Sequence, residues 1–375
     1  MPGLAFTKDT IFPTPSPTPS RGFQFRGGPG WGFFFNHTCV NAAVVILNYN
    51  GRHFLERFLP LVVRHTSHAE IIVADNCSTD GSVAWLCGNF PDVRIIENPD
   101  NGGFSRGYNL ALSQVDAEYY VLLNSDVEVT PQWLEPMLEL MEKNPRIAAC
   151  HPKIKSFHNR THFEHAGAAG GYIDRWGYPF CRGRMFHQTE TDHGQYNDSR
   201  AVFWATGTCM VIRKAAYWQV GGLDNDFFAH MEEIDLCWRL QNHGYDIFCC
   251  AQSEIYHFGA GTLSTANPFK TYLNFRNGLA MLCKNLPASR LAGTIFIRLL
   301  LDGVAGMAFF LQGKPAHCWA IVRAHFSFYK RITFWMKQRK HTLRTNRNLS
   351  GVMYSGSIVC DFFLRSKKKF SELQF

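Results

Sequence analysis

The sequence predicts an α/β protein: a mixed, mostly parallel sheet with flanking helices, followed by a helical, basic C-terminal extension. Three observations carry this. From Ala42 onward, short apolar runs alternate with segments long enough for helices. Each apolar run ends in a polar cluster. Beyond about residue 285 the texture changes to long apolar and basic-aromatic stretches. Alternation of the first kind marks βαβ units, whose parallel strands are covered on both faces and therefore read as continuous apolar runs.

The elements follow in order. AAVVILN is a strand that ends in Asn48-Tyr49-Asn50-Gly51. EIIVAD ends in Asp75, VRIIEN in Glu97-Asn98, and EYYVLLN in Asn124. Helices are expected near 53–66, 79–89 and 104–115. Thr130-Pro131 reads as the start of another helix, with Thr as N-cap and Pro at the first helical position. Residues 156–200 are loop-rich. ATGTCMVIRK (205–214) reads as a strand and KAAYWQVGG as a short helix stopped by its glycines. MEEIDLCWRLQNHG reads as a helix ended by Gly244, and DIFCCAQSEIYHFGAG as two short strands ending at His257. In such sheets ligands bind beyond the carboxyl ends of the strands. The polar tips of the first four strands are therefore expected along one cleft.

The C-terminal part has a different character. Residues 291–313, LAGTIFIRLLLDGVAGMAFFLQG, are mostly apolar, with Arg298 and Asp302 four positions apart near the middle. Charges there are costly within a bilayer, so an interfacial or protein-packed helix is expected rather than a span. The next stretch interleaves aromatics with Lys and Arg. From Gly303 to Phe375 there are 13 basic residues and two acids, so this part is +11 while the whole chain is +8. Charge so localised fits one local partner, an anionic membrane surface, and argues against a whole-surface nucleic-acid binder. Residues 1–38 contain IFPTPSPTPS, which cannot form the apolar core of a signal peptide; they are expected to be a disordered extension. The twelve cysteines show no CxxC spacing and sit mostly in apolar runs, as expected of reduced thiols in a cytoplasmic protein.

Four groups of residues carry chemistry. Asp75 ends a buried strand; it serves either a turn or a nucleobase imide. Gly102-Gly103 precede a helix, where close backbone approach and free amides suit an anion or a sugar. Asn124, Ser125 and Asp126 end the fourth strand, where a carboxylate would suit a divalent cation, with His257 as a further ligand. Glu232, Glu233 and Asp235 crowd the first turn of a helix. The helix dipole favours acids there, and their mutual repulsion also readies one as a base.

Together these segments resemble one family. VVILNYNG, IIVADNCSTDGS, NPDNGGFSRGYN, YVLLNSDVEV, ATGTCMVIRK, HMEEIDLCWRL and IYHFGAGTLS stand in the order found in family 2 glycosyltransferases, with a likeness to the bacterial rhamnosyltransferase-like branch. The resemblance spans about residues 41–285. It implies a GT-A fold, with its Rossmann-like mixed sheet, and a nucleotide-diphosphate sugar donor such as dTDP-rhamnose. Asn48, Tyr49 and Asn50 then fall in the loop touching the nucleoside, and Asp75 where the base is read. Gly102 and Gly103 lie along the nucleoside, with Asn124 and Ser125 also on the donor side. Asp126 matches the aspartate that binds Mg2+ or Mn2+, and His257 a histidine near metal and diphosphate. Glu233 matches the general base, with Glu232 before it, and Arg276 falls near the diphosphate. Asn124 stands at the first position of the usual DXD-type motif, and Glu233 where Asp is more usual.

The resulting expectation is an inverting hexosyl transfer to a glycan or polyprenyl-linked acceptor, in cell-surface polysaccharide synthesis. It would take place on the inner face of the cytoplasmic membrane. The domains are then 1–38 (extension), 39–285 (catalytic) and 286–375 (helical, membrane-associating). Two other readings stand beside it. A non-catalytic sugar-nucleotide-binding assembly protein would share the fold. A nucleotidyltransferase would need a glycine-rich basic first loop, which NYNGRHF does not supply.

Overall fold

The computed structural model describes residues 40–259, 266–342, 349 and 351–375. The 1–38 extension and the end of the IYHFGAGTLS segment lie outside the described residues.

The first half is built from β1 (Ala42–Asn48), α1 (Arg52–His65), β2 (Ala69–Asp75), α2 (Ser82–Asn89), β3 (Arg94–Glu97), α3 (Gly103–Leu112) and β4 (Tyr119–Asn124). β1 pairs in parallel with both β2 and β4, and β2 pairs in parallel with β3. Register sets Asn48 beside Asp75, and Asp75 beside Glu97, while Asn124 partners Leu47. The polar strand tips therefore share one edge, as expected. Successive side chains of a strand face opposite ways. Accordingly Val44 and Ile46 enter one core while Ala43 and Val45 enter the other.

β5 (Val127–Val129), α4 (Glu135–Lys143) and β6 (Ile147–Ser156) follow. The helix expected at Thr130-Pro131 starts later, at Glu135. Gln132 takes a left-handed φ of 57° and turns the chain first, while the Thr130 hydroxyl donates to the Glu254 carbonyl at 2.7 Å. The loop-rich section contains β7 (Gly171–Asp174), β8 (Pro179–Cys181), β9 (Arg184–Met185), β10 (Gln188–Thr189) and β11 (Arg200–Ala201). The expected 205–214 strand contracts to β12 (Cys209–Arg213), followed by α5 (Lys214–Gln219) and α6 (Glu232–Asn242).

β13 (Asp246–His257) is one strand, where the sequence suggested two. It stays paired with β6 across a register shift between Cys250 and Glu254, and that bulge is what reads as a break. The main sheet runs β11-β13-β6-β12-β4-β1-β2-β3, with β5 on β13. β12 is antiparallel to its neighbours.

α7 (Pro268–Asn285), α8 (Ala288–Leu311), α9 (Pro315–Lys330) and α10 (Ile332–Thr342) form a helical layer. β14 (Met353–Tyr354) then joins β7 in the second, five-stranded sheet, and α11 (Ile358–Phe363) follows. Residues Cys39–Phe375 form one compact unit. Arg298 and Asp302 do pair on one face of α8: Nε lies 3.1 Å from Oδ1. Tyr178 donates to the same oxygen at 2.6 Å, and His325 Nε2 lies 3.0 Å from Oδ2. The described cysteines are unpaired, and most are buried.

Candidate active site

The strand tips form a tightly bonded edge. The Asn48 amide donates to Asp75 Oδ1 at 3.0 Å, and the Ser78 backbone N–H donates to Asp75 Oδ2 at 2.7 Å. Asp75 is 2% exposed. A carboxylate oxygen can accept two hydrogen bonds, so Asp75 keeps capacity for an imide N–H. Asn50, at φ 51°, receives the Thr79 backbone N–H on its side-chain oxygen at 2.7 Å and gives its own N–H to Ser78 Oγ at 2.9 Å. Tyr49, between them, is exposed at the rim.

The Gly102-Gly103 turn is used differently from the expectation. Its amides are not free for an anion. Gly103 N–H donates to Asn101 Oδ1 at 3.1 Å, and Phe104 N–H to the Phe228 carbonyl at 2.7 Å. Gly103 has φ +77°, and a Cβ there would stand 2.6 Å from the Phe228 oxygen. The glycine is required by this close approach to the segment before α6.

Asn124 and Ser125 are part-exposed at the end of β4, whereas Asp126 is 3% exposed. Asp126 Oδ1 lies 3.2 Å from His257 Nε2, and His257 Nδ1 lies 3.1 Å from Glu164 Oε2. These are ion-pair distances without hydrogen-bond alignment. Burial pulls the His257 pKa down, but the Asp126 and Glu164 carboxylates outweigh it and push it up to about 10. Burial would raise the Glu164 pKa, yet the His257 contact holds it well below the usual range.

A divalent cation fits this arrangement. Among the described residues Asp126 Oδ2 is buried with no hydrogen-bond partner, a position that a cation would satisfy. Glu164 lies on the far ring nitrogen, where it would orient the imidazole. Among the described residues no three His, Cys, Asp or Glu side chains converge as a closed cluster. A cation would take two protein ligands here and keep positions for substrate oxygens and water, the habit of Mg2+ beside phosphates.

The three acids of α6 separate by role. Asp235 is fully buried and committed to structure: it accepts from Arg239 at 2.7 Å, Lys284 at 2.8 Å and Asn285 at 2.8 Å. Among the described residues Glu232 and Glu233 each have a buried oxygen without a hydrogen-bond partner. Burial pushes the Glu233 pKa up to about 7. Burial and the neighbouring Glu233 charge push Glu232 well above the ordinary range. The chain enters α6 through a strained run, with left-handed φ at Phe228, His230 and Met231. Asn277 of α7 holds that run: its amide lies 2.9, 3.0 and 2.7 Å from the carbonyls of Phe227, Ala229 and His230. Arg276 is occupied likewise, donating to the Asp226 and Phe227 carbonyls at 2.8 and 3.2 Å.

The structure thus brings Asn48, Asn50 and Asp75 into one network. It pairs Asp126 with His257, and links Gly103 to the segment carrying Glu232 and Glu233. Arg276 supports that segment from behind. Glu164 and Asn277 are the residues that sequence reasoning missed. Glu164 has only the local cue of an acid inside a His- and Gly-rich stretch, and Asn277 none beyond its place beside Arg276.

The mixed, mostly parallel sheet with helices against it is the GT-A fold of glycosyltransferases. Residues 43–221 match the family described as Glycosyl transferase family 2, and the chain carries a domain of that family. It is similar to an N-acetylglucosaminyl-diphospho-decaprenol L-rhamnosyltransferase of Mycobacterium tuberculosis, 28% identical over 233 residues, covering 58% of this chain and 76% of that protein. It is also similar to the rhamnosyltransferase WbbL of Escherichia coli, 21% identical over 212 residues, covering 54% of this chain and 77% of that protein. The fold resembles GalNAc-T7, solved with UDP, GalNAc and Mn2+, at a TM-score of 0.52 and 14% identity. That match covers 66% of this chain and 48% of the other.

Proposed function

We propose that this chain is an inverting glycosyltransferase. It moves a sugar from a nucleotide-diphosphate donor, dTDP-rhamnose first among the candidates, to a hydroxyl of a glycan or polyprenyl-linked acceptor. The work would be done in cell-surface polysaccharide synthesis at the cytoplasmic face of an anionic membrane. Residues 39–285 are its catalytic part and 286–375 its membrane-associating part. The likeness to the decaprenol rhamnosyltransferase and to WbbL supports the donor and acceptor class.

The observation that carries the mechanism is Glu233, a carboxylate with an unpartnered buried oxygen and a pKa near 7, next to a segment locked onto the donor-side turn. A base poised near the working pH combines the ionised form with useful proton affinity. Glu233 would take the proton of the acceptor hydroxyl as that oxygen attacks the anomeric carbon. The bond from that carbon to the diphosphate oxygen breaks on the opposite face, so one displacement inverts the centre. Asp75 and the Asn48–Asn50 loop would hold the nucleoside. Asp126 and His257 would hold a divalent cation, with His257 giving up its proton. When bound, the cation would neutralise charge gathering on the departing diphosphate.

The test is a screen of UDP-, dTDP- and GDP-sugars with and without Mn2+ or Mg2+, reading nucleotide release. Cation-dependent release from one donor is expected. Cation-independent turnover would remove the role given to Asp126, and no turnover with any donor in the presence of acceptor would leave a binding protein.

A further inference from the structure

α8 is built inside out. Its buried positions are Thr294, Arg298, Asp302 and Gly306, the polar and small residues of the helix. Its outward positions are apolar: Phe296 is 60% exposed, Leu300 52%, Val304 68%, Met307 58% and Leu311 78%. These recur at the three- and four-residue spacing of one helical face. A water-facing helix normally has the reverse arrangement. On the neighbouring α9, Trp319 is likewise 60% exposed.

The exposed charge of this part of the chain is of one sign. Between residues 288 and 340 the only acid is Asp302, and Asp302 is fully buried against Arg298, Tyr178 and His325. Lys314, Lys330 and Lys337 are exposed.

From this we infer that the outer face of α8 enters one leaflet of an anionic membrane, lying in its plane, with the neighbouring lysines on the headgroups. Apolar ridges with a basic border bind such interfaces by area and by charge together. A second copy of the chain fits worse, since pairing two such faces would bring two basic borders together. A transmembrane path fits worse too. By length and composition the helix qualifies as a candidate span. Its polar side, however, is locked through Tyr178 and Trp176 to the second sheet, so crossing would drag that sheet into hydrocarbon. The inference deepens the proposed membrane-side reading: it names the face and the mode of contact.

The test is flotation of the full chain with vesicles of phosphatidylcholine alone and with about 30% phosphatidylglycerol, at about 0.15 M and about 0.5 M NaCl. The chain is expected to float with the anionic vesicles and to keep part of its binding at high salt, because the apolar share is not screened. Leu300→Glu/Val304→Glu should weaken binding at least about tenfold. It should leave the melting temperature and nucleotide release with a soluble acceptor unchanged, since both side chains face outward. Undiminished binding by this variant overturns the inference, as does failure of the parent chain to float. Light scattering that shows a dimer split by the same substitutions, without vesicle binding, assigns the face to a second copy and overturns it too. Flotation needs no donor, so its failure leaves the transferase reading standing; lost turnover with intact flotation strikes that reading alone.

Discussion

Replacing Glu233 with Gln should move activity and stability in opposite directions. The residue is part-exposed, but its Oε2 is buried without a partner, and burial raises its pKa from 4.5 to about 7. In the unfolded chain the carboxyl loses its proton near 4.5; in the folded chain it holds it to about 7. Between these values the unfolded state binds fewer protons, so stability falls as pH rises through this window and levels off above it. The shift corresponds to about 3 kcal/mol at most. Glu233→Gln removes this penalty. At pH 8 the variant should therefore be more stable than the parent by up to about 3 kcal/mol, and at pH 4, where both are uncharged, nearly equal to it. Urea unfolding followed by circular dichroism at both pH values reads this difference. Turnover should fall about 100- to 10,000-fold, with donor affinity largely kept. The parent's kcat/KM should drop with falling pH below about 7, as the base becomes protonated. Equal stability of parent and variant at pH 8 would refute the burial argument. Full residual turnover would refute the base assignment.

Three further outcomes are expected. Asp126→Ala should abolish any rise in melting temperature given by Mn2+ and lower cation-dependent turnover at least about 100-fold, read by thermal shift and nucleotide release. Asn277→Ala strips the side-chain donor from three backbone carbonyls, so it should cost about 1–3 kcal/mol in urea unfolding and lower kcat while donor KM holds. Gly103→Ala adds a Cβ 2.6 Å from the Phe228 oxygen at a left-handed φ; it should destabilise by about 2 kcal/mol or more and weaken nucleotide binding measured calorimetrically.

What the sequence made legible was chiefly what a single strand states about itself. A buried run that ends in Asn48, Asp75 or Asn124 announces both the strand and its polar tip, and parallel pairing then puts the tips on one edge. The acids of α6 were legible as a cluster, but their division of labour was not. Asp235 belongs to structure because Lys284 and Asn285, far along the chain, reach it. Glu164 and Asn277 escaped for the same reason: each acts through a partner that only the tertiary fold supplies. The α3 amides misled because a glycine pair before a helix looks alike whether it faces an anion or a carbonyl. The 251–253 bulge hid the continuity of β13, since a local break in pattern and a strand end read the same.

These contacts bear on how the two halves of the proposed reaction stay in step. The Phe228 carbonyl receives the Phe104 and Ser105 amides of α3, on the proposed donor side, four residues before the start of α6, which carries the proposed base. Left-handed backbone at Phe228, His230 and Met231 would not persist without support, and Asn277 supplies it from α7. α7 leads directly into α8, the helix whose outer face is apolar. α7 therefore carries the residue that fixes the entry to α6, where the proposed base stands, and connects to the helix proposed to meet lipid. A base whose carboxyl must stay buried at pKa near 7 needs a rigid approach, because a loosened α6 entrance would hydrate Glu233 and return its pKa toward 4.5. Asn277→Ala should then shift the acidic limb of the kcat profile to lower pH, besides lowering kcat. A purely structural loss would reduce kcat at every pH without moving that limb.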